Sequence, residues 1–244
     1  MVENFWDRNL SRGVSGFDVT HFLSWANVYE LPAGRGKRFF QSGPLSWILG
    51  NWETESILQA RSGAPYTLQV GGDIANIQGS SPSGPGTYGR PNIISNPFVA
   101  GPVLSNPDPL CHFTTAQIVA AGQPGAGKAG SAPTSVGNST NYFNPCAFTQ
   151  PIGSFGDLGR DVYRGPAIFN TDFSLTKRVY VAEQKSLELH FQFFNIFNVQ
   201  NWAPPSAVQI NSSGTTINPK AGQITALETG TTPREMQFGL HFRF

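Results

Sequence analysis

The last eleven residues of the chain, 234–244, alternate between apolar and polar side chains. Successive side chains of a β-strand point to opposite faces of a sheet, so this segment predicts a strand with one apolar, largely aromatic face. The apolar positions continue to the final residue and are Met236, Phe238, Leu240, Phe242 and Phe244. Such a face is typical of a strand that contacts lipid on one side and a water-filled lumen on the other.

The composition favours strands and long turns over helices. The chain of 244 residues contains 27 Gly, 19 Pro and 19 Phe, and only 13% of its residues are charged. Glycine and proline are turn residues, and aromatic residues are enriched in strands. No apolar run approaches the roughly 18 residues of a membrane helix, whereas a barrel strand needs only about ten alternating residues. The formal net charge of +1 does not support a nucleic-acid partner.

The pattern predicts about five strands. They cover residues 17–30, 47–61, 169–180, 186–193 and 234–244, and the second is expected to continue through 66–70 beyond a bulge. In the first strand apolar residues occupy both faces, so its facing stays open. The polar faces of the later strands supply the candidates for lumen-facing residues, which are Asp172, Glu188, His190, Gln192, His241 and Arg243. The two histidines fall on neighbouring strands and are expected to be solvated.

Residues 71–164 form the longest connection, which is rich in Gly, Pro, Ser, Asn and Thr and shows almost no periodicity. A structureless loop of this length is uncommon in a compact soluble domain but usual outside an outer-membrane barrel. We therefore expect a structureless external loop. If the last strand descends to the periplasm, the connection 198–233 is also external, and the tight turn at 181–184 and the connection 31–46 are periplasmic.

Two cysteines, Cys111 and Cys146, lie within this long connection. A disulfide between them fits an oxidising location outside the cytoplasm, and we predict that it pins the loop. Two free thiols are the alternative. A metal site is not favoured, because among the histidines only His112 is close in sequence.

Two glycine motifs have the spacing of nucleotide-binding signatures without their context. Residues 84–89 match G-x-G-x-x-G, yet Pro85 and Pro91 do not fit the strand and helix that hold a pyrophosphate. Residues 122–128 have the spacing of a phosphate-binding loop, but Ala129 stands where magnesium needs a hydroxyl ligand. No catalytic or metal-ligand arrangement can be assembled from the sequence. We therefore expect neither enzymatic activity nor a cofactor.

Aromatic residues cluster near the ends of the predicted strands. They are Trp25, Tyr29, Phe39, Phe40, Trp47, Trp52 and Tyr180. In a barrel they would form girdles at the two membrane interfaces, and in a soluble sandwich they would form the core. The apolar terminal strand favours the girdles.

Three further stretches carry a family resemblance. They are Tyr-Glu-Leu-Pro at 29–32 with Gly-Arg-Gly-Lys-Arg-Phe at 34–39, Phe-Gly-Asp-Leu-Gly-Arg at 155–160 with Arg-Gly-Pro at 164–166, and Phe-Asn-Ile-Phe-Asn at 194–198. In this order, and with the terminal strand, they resemble the carboxy-terminal part of TonB-dependent outer-membrane receptors of the Oar-like branch, which often carries a carboxypeptidase-regulatory-like domain. The resemblance covers roughly residues 12–70 and 139–244.

The resemblance implies an all-β fold, namely an antiparallel segment of a transmembrane β-barrel with long extracellular loops, open as a fragment. The whole barrel would have about 22 strands and a plugged lumen. It also implies a place in the outer membrane of Gram-negative bacteria and energised import of a scarce ligand, such as a siderophore or a carbohydrate. Residues 234–244 would be the closing strand, with Phe238, Leu240, Phe242 and Phe244 in the signal for the barrel-assembly machinery.

The other implied partners are outer-membrane lipid, a small ligand and the TonB energising complex. That complex would act through a plug domain that we expect to lie outside this chain, since residues 1–4 do not begin a signal peptide and the chain is interpreted as a fragment. Two alternatives stay open. One is an outer-membrane barrel with an adhesive, surface-structural or export role, and the other is a secreted soluble β-sandwich that binds carbohydrate.

Overall fold

The computed structural model describes residues 7–71, 88–120, 131–181, 185–205, 208–210, 217–218 and 220–244. In chain order the strands are β1 (Phe22–Glu30), β2 (Trp52–Arg61), β3 (Pro65–Tyr66), β4 (Gln69–Gly71), β5 (Tyr88–Gly89), β6 (Asn92–Ile93), β7 (Phe148–Thr149), β8 (Tyr163–Arg164), β9 (Ile168–Tyr180), β10 (Ser186–Phe194), β11 (Val208–Ile210) and β12 (Glu235–Arg243). The helices are α1 (Pro44–Leu49) and α2 (Thr115–Ala120), with short 3-10 helices at Pro109–His112 and Pro145–Ala147. No helix in these ranges is long and apolar enough to cross a membrane.

The chain forms two compact units, which we call the sheet unit and the loop unit. The sheet unit consists of Val19–Ser62, Ala167–Asn201 and Thr229–Phe244. The loop unit consists of Met1–Asp18, Gly63–Pro166 and Trp202–Glu228.

The sheet unit contains one five-stranded antiparallel sheet, with the strand order β1-β2-β9-β10-β12. Its outer strands, β1 and β12, each have one edge that pairs with no other strand of the described residues. The sheet is therefore open. This confirms the all-β, antiparallel and unclosed architecture that the sequence predicts.

The register aligns the alternating residues of all five strands. Leu189 lies opposite Leu240 on one side and Lys177 on the other, and Phe191 lies opposite Phe238. Residues that lie opposite each other share a face of the sheet. The same apolar face also carries Leu23, Trp25, Tyr29, Leu58, Phe169, Phe173, Leu175, Val179, Leu187, Phe193, Met236 and Phe242. The register thus settles the facing of the first strand, which the sequence leaves open.

The apolar face of the sheet is exposed rather than packed as a core. Phe238 is 69% exposed and Leu240 is 68% exposed, and Trp25 and Tyr29 are exposed as well. Soluble monomers rarely expose a continuous apolar surface of this extent. The face has instead the properties of the lipid-contacting wall of a membrane barrel, and the aromatic side chains on it are not the core of a sandwich.

Short connections lie at one end of the sheet. The β9–β10 turn is closed by a hydrogen bond from the Val181 amide to the Lys185 carbonyl (2.9 Å). At the same end, the β1–β2 connection contains α1. The expected start of the second strand at residue 47 is wrong, because Pro44 opens a helix there and proline is favoured at the first helical position.

The loop unit is folded around two buried apolar clusters. The first consists of Tyr66, Leu68, Phe143, Ala147, Phe148 and Leu158, and the second of Val103, Cys111, Ala132, Cys146, Ile217 and Ala221. Short strand pairs link distant segments, namely β3 with β8, β4 with β5 and β11, and β6 with β7. For the described part of residues 71–164, the expectation of a structureless loop is therefore wrong. Its apolar residues are scattered in sequence and meet only in the folded unit.

Buried asparagines replace the backbone ladders that such short strands do not supply. Asn144 accepts a hydrogen bond from the Cys146 amide (3.0 Å) and donates to the Val99 and Gly101 carbonyls (3.0 Å each). Asn106 donates to the Cys146 carbonyl (2.7 Å). Buried backbone groups need partners of this kind, so the two amide side chains hold the loop segments together.

Residues of the stretches 155–160 and 164–166, which carry part of the family resemblance, support the packing of the loop unit. A Cβ atom on Gly156 would lie 1.8 Å from the Arg90 carbonyl oxygen, so only glycine permits this approach. Arg164 donates to the Gly63 carbonyl (3.2 Å) and forms an ion pair with Asp18. These motif residues therefore hold together segments of the loop unit that are far apart in sequence.

Two strand boundaries differ from the sequence prediction. Residues 66–70 do not continue the second strand, since β3 pairs with β8 and β4 pairs with β5 and β11. The backbone at Gly63 packs directly on the Gly165 carbonyl group. This close contact follows the end of β2 at Arg61. The first strand begins at Phe22 rather than at residue 17, because the Asp18 amide closes a turn on the Ser15 carbonyl (2.8 Å).

Candidate functional site on the polar face of the sheet

The predicted lumen-facing residues share one face of the sheet. In the register Glu188 lies opposite Arg178 and His241, and His190 lies opposite Thr176 and Gly239. By the same alternation Asp172, Gln192 and Arg243 also lie on the side opposite the apolar face.

Glu188 is the centre of a charged network on this polar face. Its carboxylate accepts a hydrogen bond from Arg178 Nε (2.6 Å), and Arg243 Nη2 lies 3.8 Å from Oε2. His190 Nε2 lies 3.6 Å from the same oxygen. Glu188 is only 4% exposed, and a carboxylate so enclosed is stabilised by charged hydrogen-bond donors. The network therefore joins β9, β10 and β12.

Arg178 is a member of this network that is not among the six candidates from the sequence. It continues the polar alternation of the third predicted strand by one step beyond Thr176. The signal was therefore present in the pattern.

The other candidates have different surroundings. Asp172 accepts hydrogen bonds from the Asn170 side chain (3.0 Å) and the Asn195 amide (2.9 Å), so it holds the chain where it leaves β10. His190 Nδ1 lies 3.1 Å from Thr176 Oγ1. Gln192 is exposed. The six candidates therefore form one polar wall, of which Glu188, His190 and Arg243 are in direct contact.

A pocket of about 390 Å³ lies at the other end of the sheet. Its lining side chains are Val19, Phe22, Gln59, Arg61, Ile168 and Asn170. Phe22 and Ile168 would contact an apolar body, while Gln59 and Asn170 offer amide groups to a hydroxyl or carboxylate. The sequence gives no signal for this pocket, because its apolar members interrupt a mostly polar face at the strand ends.

The terminal aromatic residues are accessible. Phe238, Leu240 and Phe242 lie on the apolar face of β12, and Phe244 follows the strand. The rings of Phe242 and Phe244 stack with centroids 6.2 Å apart. Their role as an assembly signal stays a prediction.

The cysteines form a disulfide, with Cα atoms 5.4 Å apart. It lies in the second buried cluster of the loop unit.

His112 Nε2 contacts the Asn106 carbonyl at 2.9 Å. Across the described ranges, no group of three or more His, Cys, Asp and Glu residues is placed to hold a metal. Residues 84–87, 122–128 and 182–184, which belong to the two glycine motifs and the tight turn, lie outside the described residues.

A single antiparallel sheet with an exposed apolar face and a charged polar face defines the wall of a membrane β-barrel. The sequence matches the outer membrane beta barrel domain family over residues 1–237, and the chain belongs to that family. Searches of curated proteins and of solved structures found no match. The chain is therefore an outer-membrane protein of Gram-negative bacteria rather than a secreted soluble sandwich.

Proposed function

We propose that the chain forms part of a TonB-dependent outer-membrane receptor of the Oar-like branch. This receptor imports a scarce ligand, such as a siderophore or a carbohydrate, by energised transport. In this proposal the polar face with Glu188 lines the lumen, and the loop unit faces the exterior. Energy coupling belongs to the plug and its TonB contact and is assigned to no residue of this chain.

The observation that carries the proposal is that the loop unit is folded around two buried clusters. Arg61 and Ile168 lie opposite each other in neighbouring strands, and the chain between them contributes most of two buried clusters and a disulfide. A rigid surface loses less conformational entropy when it binds a ligand than a flexible loop does. A preorganised external surface of this size supports capture of a ligand before transport.

Exposed apolar side chains on the loop unit favour a second candidate function. Phe98, Val99, Leu104, Phe113 and Ile152 are all exposed. Apolar surface on a stable external domain also suits adhesion to another surface. An adhesive or surface-structural barrel is therefore the rival proposal.

Growth assays distinguish the two functions. One strain lacks the gene, a second lacks the energising complex, and a third carries a variant in which a short Gly-Ser linker replaces residues 63–166. All are tested on a panel of ferric siderophores and oligosaccharides as sole iron or carbon sources. Import predicts the same loss of growth in all three strains, with the variant still present in the outer membrane after cell fractionation.

The rival function predicts a different pattern. Growth on every source would match that of the wild type, while attachment to surfaces would fall both without the gene and with the linker variant. Loss of the energising complex would leave attachment unchanged. That pattern would exclude the import proposal.

A further inference from the structure

The β1–β2 connection has an unusual distribution of charged and apolar residues. Residues 31–51 contain Arg35, Lys37 and Arg38 and no acidic residue. Lys37 forms an ion pair with Glu30 at the end of β1, so the net positive charge of this turn comes from the two arginines. Phe39 and Phe40 follow the basic residues, and α1 comes next. A basic segment beside an apolar helix is the pattern of segments that lie in a membrane interface.

The connection is folded rather than extended. The Gly34 amide donates to the Phe39 carbonyl (2.8 Å), and the Phe39 amide donates to the Pro32 carbonyl (3.0 Å). The Asn51 amide donates to the Ala33 carbonyl (2.8 Å). These bonds fix the basic turn next to the helix.

Two side chains from the apolar face of the sheet hold the carboxyl end of α1. The Ile48 carbonyl accepts hydrogen bonds from Trp52 Nε1 (2.9 Å) and Lys177 Nζ (3.2 Å). Lys177 Nζ also donates to the Gly50 carbonyl and lies 5.1 Å from the centroid of the Trp52 ring. Lys177 is 4% exposed, so its charge is used to cap the helix. The helix is therefore attached on the lipid-facing side of the sheet.

The apolar side chains of α1 point away from the protein. Trp47 is 62% exposed and Ile48 is 66% exposed, and Leu45 and Leu49 are exposed as well. Ser46 is the buried residue of this helix. In water such exposure costs about 25 cal/mol for each Å² of apolar area, so these side chains fit an apolar surrounding.

We propose that the β1–β2 connection is an interfacial membrane anchor. The side chains of α1 enter the boundary between headgroups and acyl chains, and Arg35 and Arg38 contact the phosphates of anionic phospholipids. The apolar surface of α1 continues the lipid-facing surface of the sheet, and the positive charge of the turn complements anionic headgroups. Arg35 lies 5.5 Å from the ring of Tyr180 at the end of β9, which places its charge at the turn end of the sheet.

Quenching of Trp47 fluorescence by brominated lipids tests the anchor. The whole chain is reconstituted into phospholipid vesicles brominated either near the headgroup end or near the tail end of the acyl chains. The fluorescence of Trp47 is obtained by subtracting the spectrum of Trp47→Phe from that of the wild type. The matched control is Trp25→Phe, which gives in the same way the fluorescence of Trp25 on the apolar face of β1. We expect Trp47 to be quenched more strongly by the shallow bromines and to be protected from aqueous iodide.

Other outcomes would overturn the anchor. In one such outcome iodide quenches Trp47 and brominated lipid does not, while brominated lipid does quench Trp25. That result would place α1 in water. Protection from both quenchers would mean that another protein or a second copy covers the helix. Quenching of Trp47 mainly by deep bromines would place α1 within the bilayer core and not at its interface.

The basic turn is tested in vesicles with and without phosphatidylglycerol. We expect phosphatidylglycerol to increase the quenching of Trp47 by bromines near the headgroups. Added salt should reverse this increase, because salt screens the attraction between the arginines and the charged membrane surface. In the double variant Arg35→Gln/Arg38→Gln, Trp47 quenching should be the same in vesicles with and without phosphatidylglycerol. Arg12→Gln, which removes an exposed charge from the loop unit, should preserve the difference between the two kinds of vesicle. A difference that survives the double substitution would contradict the role of the arginines.

Discussion

Phe191 and Phe238 stand edge to face across β10 and β12, with ring centroids 5.6 Å apart and ring planes at 81°. The neighbouring pair on the same face is Leu189 and Leu240. Edge-to-face aromatic contacts contribute about 0.5–1.5 kcal/mol beyond the burial of their area. These two adjacent apolar pairs lie near the middle of the strands, and we therefore expect this part of the wall to lie deepest in lipid.

A charge at this depth should destabilise the inserted protein. Leu189→Arg is expected to lower the free energy of unfolding in lipid by about 2–4 kcal/mol, because it exposes a cation to the bilayer core. Gln192→Arg on the same strand adds the charge to the polar face and should cost much less. Denaturant titration of vesicle-inserted protein measures both. Equal losses for the two variants would mean that the assigned faces are wrong.

Loss of the disulfide should loosen the loop unit. Cys111→Ser combined with Cys146→Ser opens a crosslink between residues separated by 35 positions, and chain entropy predicts a loss of about 3–4 kcal/mol. Near-ultraviolet circular dichroism during denaturant unfolding should report the loss. Reduced wild-type protein should behave like the variant. Unchanged unfolding in both would show that the crosslink adds no stability.

Asn144 should matter far more than an exposed asparagine. Asn144→Ala leaves two carbonyls and one amide of the loop unit without their partner, which should cost about 2–4 kcal/mol. The control is Asn138→Ala, which removes an exposed turn acceptor for the Thr140 and Asn141 amides and should cost under about 1 kcal/mol. Thermal unfolding compares the two. Similar losses would contradict the role assigned to the buried amide.

The loop unit should lose stability at alkaline pH. Burial, followed by the charge of Asp157, raises the pKa of Tyr163 from 10.0 to about 12. Burial, followed by Tyr142 and Tyr163, raises the pKa of Tyr66 as well. Above pH 10.0 the unfolded chain releases tyrosine protons that the folded unit keeps, so stability falls as the pH rises toward about 12.

Tyr66→Phe provides the test of this pH dependence. In the described part of the structure the Tyr66 hydroxyl has no hydrogen-bond partner, so its removal should preserve or raise stability at neutral pH, by up to about 1 kcal/mol. The variant should also lose less stability than the wild type in an alkaline titration followed by circular dichroism. An identical alkaline loss would show that Tyr66 does not contribute.

Alternation along single strands made the sheet predictable. Each of the five sheet strands overlaps a predicted strand, and β10 ends at Phe194, where the alternation slips. The polar candidates share a face because period-two alternation determines facing. The sequence pattern does not indicate α1, because six helical residues give too short a periodic signal beside the turn residues Gly43 and Pro44.

The loop unit was not predictable from local pattern. Leu68 and Leu158 belong to one buried cluster, yet they lie far apart in sequence and in no regular period. The fold there depends on single close contacts, such as Gly156 on Arg90, and on buried amides such as Asn144. None of these leaves a periodic signature. The Glu188 network was partly predictable, since alternation gives the face but not the distances.

The pairing of β2 with β9 has a consequence for the order of assembly. The β9–β10 hairpin closes across a short turn, whereas Arg61 meets Ile168 only after the whole intervening chain has been brought back. A connection roughly twenty times longer costs roughly 3 kcal/mol more in closure entropy. We therefore expect the hairpin to form early and the β2–β9 seam to form late. Compaction of the loop unit would shorten the distance that the seam has to span, so the speed of barrel formation should depend on a part of the protein that carries none of the strands of the wall.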